Sequence, residues 1–158
     1  MDKVSALTVF EVDGQLFGIP VDYVQSILQL PKIFKVPQAP EYIMGVVNVA
    51  GEVIPLLNAG QKLGMEPVEA NPLSTILVVE RHEEGSPQQR LALLIDEVKE
   101  VIEVKVLHKQ SLPTSKYSFD ERLVDGMFPH EEDFVMQIHV TNFFQDELEG
   151  LVQHVPEN

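Results

Sequence analysis

Short apolar runs of β-type composition recur along the chain, each closed by turn residues. Residues 6–12 are rich in β-formers and stop at Asp13-Gly14, a dipeptide that favours a tight hairpin. Residues 16–19 resume the apolar pattern and are predicted to pair back across that turn. Residues 24–30 make the next strand candidate, ending at Pro31. The two prolines in residues 36–40 predict an ordered connection outside any strand. Residues 45–49 and 53–57 flank Ala50-Gly51-Glu52, a second hairpin signal. Residues 58–63 read as a short helical turn that Gly64 closes.

A polar, proline-bearing joint at 65–72 then marks the best internal boundary, dividing the chain into subdomains 1–70 and 73–158. Beyond it, 75–79, 91–95, 98–104, 123–128 and 134–140 are strand candidates. A charged loop is expected at 81–89, a poorly patterned surface segment at 105–121, and a joint at 129–133. His139 falls within the last strand candidate, on its polar side. The period then changes: Phe144, Leu148, Leu151 and Val152 share one face of a short C-terminal helix, with Thr141 or Asn142 as its cap.

The two halves resemble each other. Residues 17–27 align without gaps on 91–101, setting Asp22 on Asp96 and Val24 on Val98. Gly45-Val46-Val47 followed by Val53-Ile54 parallels Gly126-Met127-Phe128 followed by Phe134-Val135. The reading is a mainly β chain built from two copies of a short-stranded unit, as two small β-barrels packed together. One unit alone buries little apolar surface, so the 158 residues are expected to form one domain, with strand exchange between subdomains open.

Composition narrows the function. Eleven basic residues against twenty-five acidic ones give a net charge of −14, which repels nucleic-acid phosphates and anionic lipids. With no basic stripe and no tryptophan, nucleic-acid binding is not expected. The absence of cysteine removes disulfides, thiolate nucleophiles and cysteine zinc sites. The start of the chain lacks a signal-peptide pattern, and no apolar run reaches the ~20 residues of a membrane span. A cytoplasmic protein without direct membrane insertion is expected.

The chemistry is equally spare. The five histidines, His82, His108, His130, His139 and His154, show no ligand spacing, so no metal site is expected. No serine sits in a nucleophile elbow and no glycine-rich loop cradles a phosphate. Asp22 and Asp96 follow apolar strands and read as turn residues that accept backbone N–H bonds. Neither catalytic residues nor a cofactor are expected.

An ordered series of short motifs carries a family likeness. It comprises Val9-Phe10; Phe17-Gly18-Ile19-Pro20-Val21 and Val24; Pro40; Gly45-Val46-Val47-Asn48-Val49, Gly51 and Val53-Ile54-Pro55-Leu56-Leu57; then Leu93-Leu94-Ile95-Asp96, Val98, Val101 and Gly126. Across nearly its whole length the chain resembles the CheW-like adaptors of bacterial chemotaxis. The resemblance implies two five-stranded SH3-like barrels about a pseudo-twofold. It implies a non-enzymatic adaptor whose partners are the regulatory domain of a chemotaxis histidine kinase and the cytoplasmic tip of a chemoreceptor. Candidate partner-binding residues are Val24, Ser26, Ile27, Gly45, Asn48, Ala50, Gly51 and Asn58. The chain departs from the family where Asn-Leu-Arg-Gly becomes Asn48-Val49-Ala50-Gly51 and where Asp-Leu-Arg becomes Asn58-Ala59-Gly60. Ser26 stands where an acidic residue is frequent. A missing Arg removes a multidentate donor. The departures leave an alternative: a divergent module of the same fold with a changed partner.

Overall fold

Turn chemistry sets the local architecture. The structure, a computed structural model, describes residues 3–82, 84–85, 88–112 and 119–144. Strands β1 (Val4–Val12) and β2 (Gln15–Pro20) meet at Asp13 and Gly14, with φ of 48° and 76°. Two successive positive φ values give the type I′ turn whose twist matches the strands it joins. The same turn recurs at Ala50 and Gly51, φ 51° and 84°, between β4 (Ile43–Val49) and β5 (Glu52–Asn58). Between these hairpins lies β3 (Val24–Gln29), followed by a connection in which Phe34 bridges Val46.

The helical turn α1 (Ala59–Lys62) follows β5, capped by the Asn58 side chain and closed near Gly64, φ 80°. Past the 65–72 joint come β6 (Thr75–Arg81), β7 (Gln89–Ile95), β8 (Glu97–Lys105), β9 (Val124–His130) and β10 (Asp133–Ile138). Ladder pairing carries each strand a residue or two beyond most predicted bounds. The 129–133 joint shrinks to Glu131 and Glu132, because Pro129 and His130 pair with Phe134 and Asp133.

The strands form two five-stranded sheets, in the orders β8-β1-β2-β10-β9 and β3-β6-β7-β5-β4. Neither sheet closes on itself, so the expected closed barrels are replaced by open sheets whose end strands face one another across a seam. Each sheet takes its central hairpin from the other half of the chain. The β1–β2 hairpin lies among β8, β9 and β10, and the β6–β7 hairpin among β3, β4 and β5. Antiparallel pairs dominate. Each exchanged hairpin joins its hosts by an antiparallel ladder on one side, β1 with β8 and β6 with β3, and by a parallel pair on the other, β2 with β10 and β7 with β5.

The internal repeat holds at the level of register. Val24 pairs with Val79 as Val98 pairs with Phe10; Ile27 pairs with Leu77 as Val101 pairs with Thr8. Bulges fall at matching places, beside Gln25 and beside Lys99. Val46 pairs with Pro55 as Met127 pairs with Met136. The outer edge of β4 is bridged by Phe34, and that of β9 by Gln110.

Alternation explains burial. One face of β1 and β2 sends Phe10, Val12, Phe17 and Ile19 into a core shared with Ile54, Leu56, Leu77, Leu91 and Leu93 of the other sheet. Phe10 and Phe17 stack at 6.1 Å between ring centroids. Each fully buried Leu or Phe contributes about 1.5–3 kcal/mol, and residues of both sheets contribute to this one cluster. A smaller cluster of Leu7, Val9, Val104, Phe128 and Val135 fills the seam of the first sheet.

At the C-terminal end, residues 140–144 are helical. His139 is no strand residue: it caps this helix, its Nδ1 accepting from the Asn142 backbone N–H at 3.2 Å, in place of Thr141 or Asn142. Phe144 is buried, while Leu148, Leu151 and Val152 lie outside the described residues.

Candidate functional site: a groove at the seam of one sheet

A groove of about 360 Å³ separates β3 from the β4–β5 hairpin. Gln25, Ser26 and Leu28 form one wall, Val49, Ala50 and Ile54 the other, and Arg90 of β7 reaches in beside Glu52. The repeat shows why this seam is open. In the other sheet, Phe128, Ile102 and Leu16 pack with Leu7, Val9 and Val135. Register matches them to Val47, Leu28 and Arg90. Exchanging Phe for Val and Leu for Arg withdraws apolar volume from the seam, and a partly apolar surface remains accessible.

Arg90 is held in place. It ion-pairs with Glu52 and lies 3.7 Å from Glu80, and with the Gln25 amide turned so that its oxygen faces the guanidinium it donates to that oxygen from Nε at 3.3 Å and Nη2 at 3.1 Å. Its guanidinium is thus a fixed polar feature on one side of the groove, while Leu28 stays 36% exposed on the other.

The structure sorts the candidate residues. Ser26 and Ala50 line the groove. Ala50 is exposed at the tip of its type I′ turn, and the Asn48 side chain fixes that turn by accepting from the Gly51 N–H at 3.0 Å. Ile27 is 47% exposed, on the face of β3 opposite Ser26 and Leu28. Val24 is half-buried and packs against the core.

Gly45 and Asn58 belong to the interior. A Cβ on Gly45, whose φ is 146°, would lie 2.3 Å from the Phe34 carbonyl oxygen. Only glycine lets the Phe34 segment approach β4 that closely. Asn58 is 3% exposed. Its amide donates to the Val68 carbonyl at 2.9 Å, and its oxygen accepts from the Val68 N–H at 2.9 Å and the Gln61 N–H at 3.3 Å. Asn58 therefore locks the 65–72 joint onto α1.

Leu28, Arg90 and Glu52 were not singled out in the sequence. Arg90 sits beside a charged loop and carries no motif; only the pairing of β7 with β5 brings it to Ala50. The Asp96 carboxylate accepts a backbone N–H as expected, but that of Asp13 in the distant β1–β2 turn, at 2.7 Å, and not one of its own turn. On the other sheet, ligand atoms of Glu100, His130 and Glu131 lie within 4.8 Å of one another, a convergence that histidine spacing could not reveal. Among the described residues no helix is long and apolar enough to cross a membrane.

Fold and groove define a class: a duplicated two-sheet β module with an open surface groove between the end strands of one sheet. The chain belongs to the CheW-like domain family, whose family model matches residues 6–148. Chemotaxis protein CheW of Rhizobium meliloti is 25% identical over 141 residues, covering 89% of this chain and 88% of that protein. Chemotaxis protein CheW of Treponema pallidum is 22% identical over 146 residues, 90% of this chain and 84% of the relative. The crystal structure of the scaffolding protein TtCheW from Thermoanaerobacter tengcongensis superposes with a TM-score of 0.80 at 23% identity, covering 95% of this chain and 94% of that one. That likeness establishes the fold.

Proposed function

We propose that this protein is a non-enzymatic cytoplasmic adaptor of a chemosensory pathway, which holds a histidine kinase and a chemoreceptor together by binding both. The observation that carries the reading is family membership over 6–148. In this reading each sheet corresponds to one SH3-like barrel of the family, left open at its seam. The groove between β3 and the β4–β5 hairpin is the kinase-docking face, where the regulatory domain covers Leu28, Ser26, Val49 and Ala50. Burying Leu28 and Val49 supplies the apolar contribution, and Arg90 with Glu52 supplies a fixed polar rim. Ala50 stands where the family usually has Arg, so this face offers one guanidinium fewer at its tip and presents Arg90 deeper in the groove. Ile27 faces away from this groove and Val24 packs against the core, while Asn48 and Gly51 shape the turn that borders it.

Titration calorimetry with the regulatory domain of a chemotaxis kinase tests this. Leu28→Glu should weaken binding roughly tenfold or more, as expected for a charge forced into a covered apolar contact. Ala50→Arg should strengthen it, because the turn backbone already holds a side-chain-bearing residue at φ 51°. Unchanged affinity in both variants would remove this groove from the kinase contact. Affinity capture from native extract should retain a histidine kinase together with a chemoreceptor. Recovery of neither, with a conventional adaptor succeeding in parallel, would overturn the adaptor reading.

A further inference from the structure

The seam of the other sheet carries different chemistry. Glu100 lies on β8 opposite Val9, His130 ends β9 opposite Asp133, and Glu131 occupies the following turn at φ 55°. β8 and β9 are the two end strands of their sheet. The contact between His130 Nε2 and Glu100 Oε2, 3.6 Å, therefore spans the seam of this sheet.

We propose that Glu100, His130 and Glu131 form a binding site for one divalent transition-metal ion of the Zn²⁺ class, which clips the two end strands of this sheet together. The donor set is one imidazole nitrogen and two carboxylates, all within 4.8 Å of one another. Two donors each about 2.1 Å from a tetrahedral ion sit roughly 3.4 Å apart, and Nε2 and Oε2 are already close to that separation. The His130 side chain is 19% exposed and tethered in the ladder, so one ligand is fixed in advance. Glu131 and Glu100 are exposed and can swing the remaining distance. The nearby Lys99 ammonium is engaged elsewhere, 3.1 Å from Glu97 and 3.8 Å from Glu11.

The cluster is not a by-product of the repeat. The matching positions in the other sheet are Ser26, Val49 and Ala50, without an imidazole or a carboxylate among them. Three protein ligands leave the remaining coordination positions to water. An imidazole in the set selects Zn²⁺, Co²⁺ or Ni²⁺ over Ca²⁺ and Mg²⁺, which prefer oxygen alone. The site lies on the sheet that does not carry the docking groove and stands independently of the adaptor reading.

The experiment uses the intact protein after chelation and dialysis. Zn²⁺ is titrated by calorimetry, Co²⁺ by its visible absorption, and thermal unfolding is followed with and without Zn²⁺. One equivalent should bind, Zn²⁺ should exceed Ca²⁺ in affinity by at least about tenfold, and Tm should rise, because an ion that binds only the folded sheet stabilises it. His130→Ala and Glu100→Gln should each weaken Zn²⁺ binding by at least about tenfold, the loss seen even when only a support to a ligand is removed. Both should abolish the Tm rise, while His108→Ala should leave binding and the Tm rise unchanged. Glu100→Gln changes an exposed side chain, so it reports on the site even if His130→Ala folds poorly. Absence of saturable Zn²⁺ binding, equal affinity for Ca²⁺, or binding undiminished in both variants would overturn the site and leave general attraction of cations to an acidic surface.

Discussion

Gly45→Ala isolates one claim about how the fold is held. The added Cβ would sit 2.3 Å from the Phe34 carbonyl oxygen and 3.0 Å from both the Phe34 carbonyl carbon and Ile33 Cγ2. Backbone atoms cannot rotate away as a side chain can, so the Phe34 segment must lift from β4. Lifting it breaks two bonds, Phe34 N–H to the Val46 carbonyl at 2.9 Å and Val46 N–H to the Phe34 carbonyl at 2.8 Å. Each is worth about 1 kcal/mol net. The φ of 146° costs an alanine about 1–3 kcal/mol more. The expected loss is about 3–5 kcal/mol, a large part of the 5–15 kcal/mol typical of a domain. Urea unfolding followed by circular dichroism measures it, as a lower midpoint with an unchanged slope. Gly14→Ala is the control: its φ is also positive at 76°, but a Cβ there meets nothing within 4 Å. That variant should lose only the left-handed cost of about 1–2 kcal/mol. A Gly45→Ala protein as stable as Gly14→Ala would refute the argument, and the close approach of Phe34 would no longer explain the glycine.

Other perturbations test other parts of the fold. Asn58→Ala should cost about 2–4 kcal/mol, since it strands the buried Val68 N–H and carbonyl; hydrogen exchange at Val68 should accelerate, and a stability within error of the parent would contradict the lock. Ala50→Gly should raise stability by about 0.5–1 kcal/mol by relieving a left-handed alanine, read as a higher Tm; a lower Tm would argue against a strained turn. Asp120 is held below the ordinary carboxylate pKa, first by the Arg122 side-chain hydrogen bond, which burial partly opposes, and then by the Arg122 backbone N–H and the charges of Arg122 and Lys62. A depressed folded pKa gives stability that is present above the unfolded value of 3.8 and is lost as pH falls through the folded one. Asp120→Asn should therefore lower stability slightly near neutral pH, by less than about 1 kcal/mol for so exposed a pair, and the difference should vanish at the acid end; a difference that persists in acid would point to another cause.

The sequence by itself determined the strands, the turns and the duplication. Alternating burial marks strands such as β4, while β6 and β7 are buried in continuous runs, and the chain records both patterns locally. Asp13-Gly14 and Gly51 mark hairpins, because positive φ favours particular residues whatever the rest of the fold does, whereas Ala50 at φ 51° runs against that preference. The gapless match of 17–27 with 91–101 foretold a repeat that the ladders reproduce down to the bulges beside Gln25 and Lys99. Ser26 and Ala50, named from the motif series, do meet across one groove.

Tertiary structure decided everything that depends on which strands become neighbours. Periodicity states that a strand has a covered face but not what covers it. The exchange of the β1–β2 and β6–β7 hairpins between sheets rests on ladders between distant strands, antiparallel with β8 and β3 and parallel with β10 and β5, and no local pattern records them. The same pairing carries Arg90 to Ala50 and brings Glu100 to His130. It also turns Asn58 from a motif position expected at the surface into a buried lock, because a polar side chain reads alike in sequence whether its partner is water or the backbone of Val68. Seam volume is likewise a property of facing positions. Phe128 against Val47, and Leu16 against Arg90, set how much apolar volume each seam holds, and that difference arises only when the strands are set side by side.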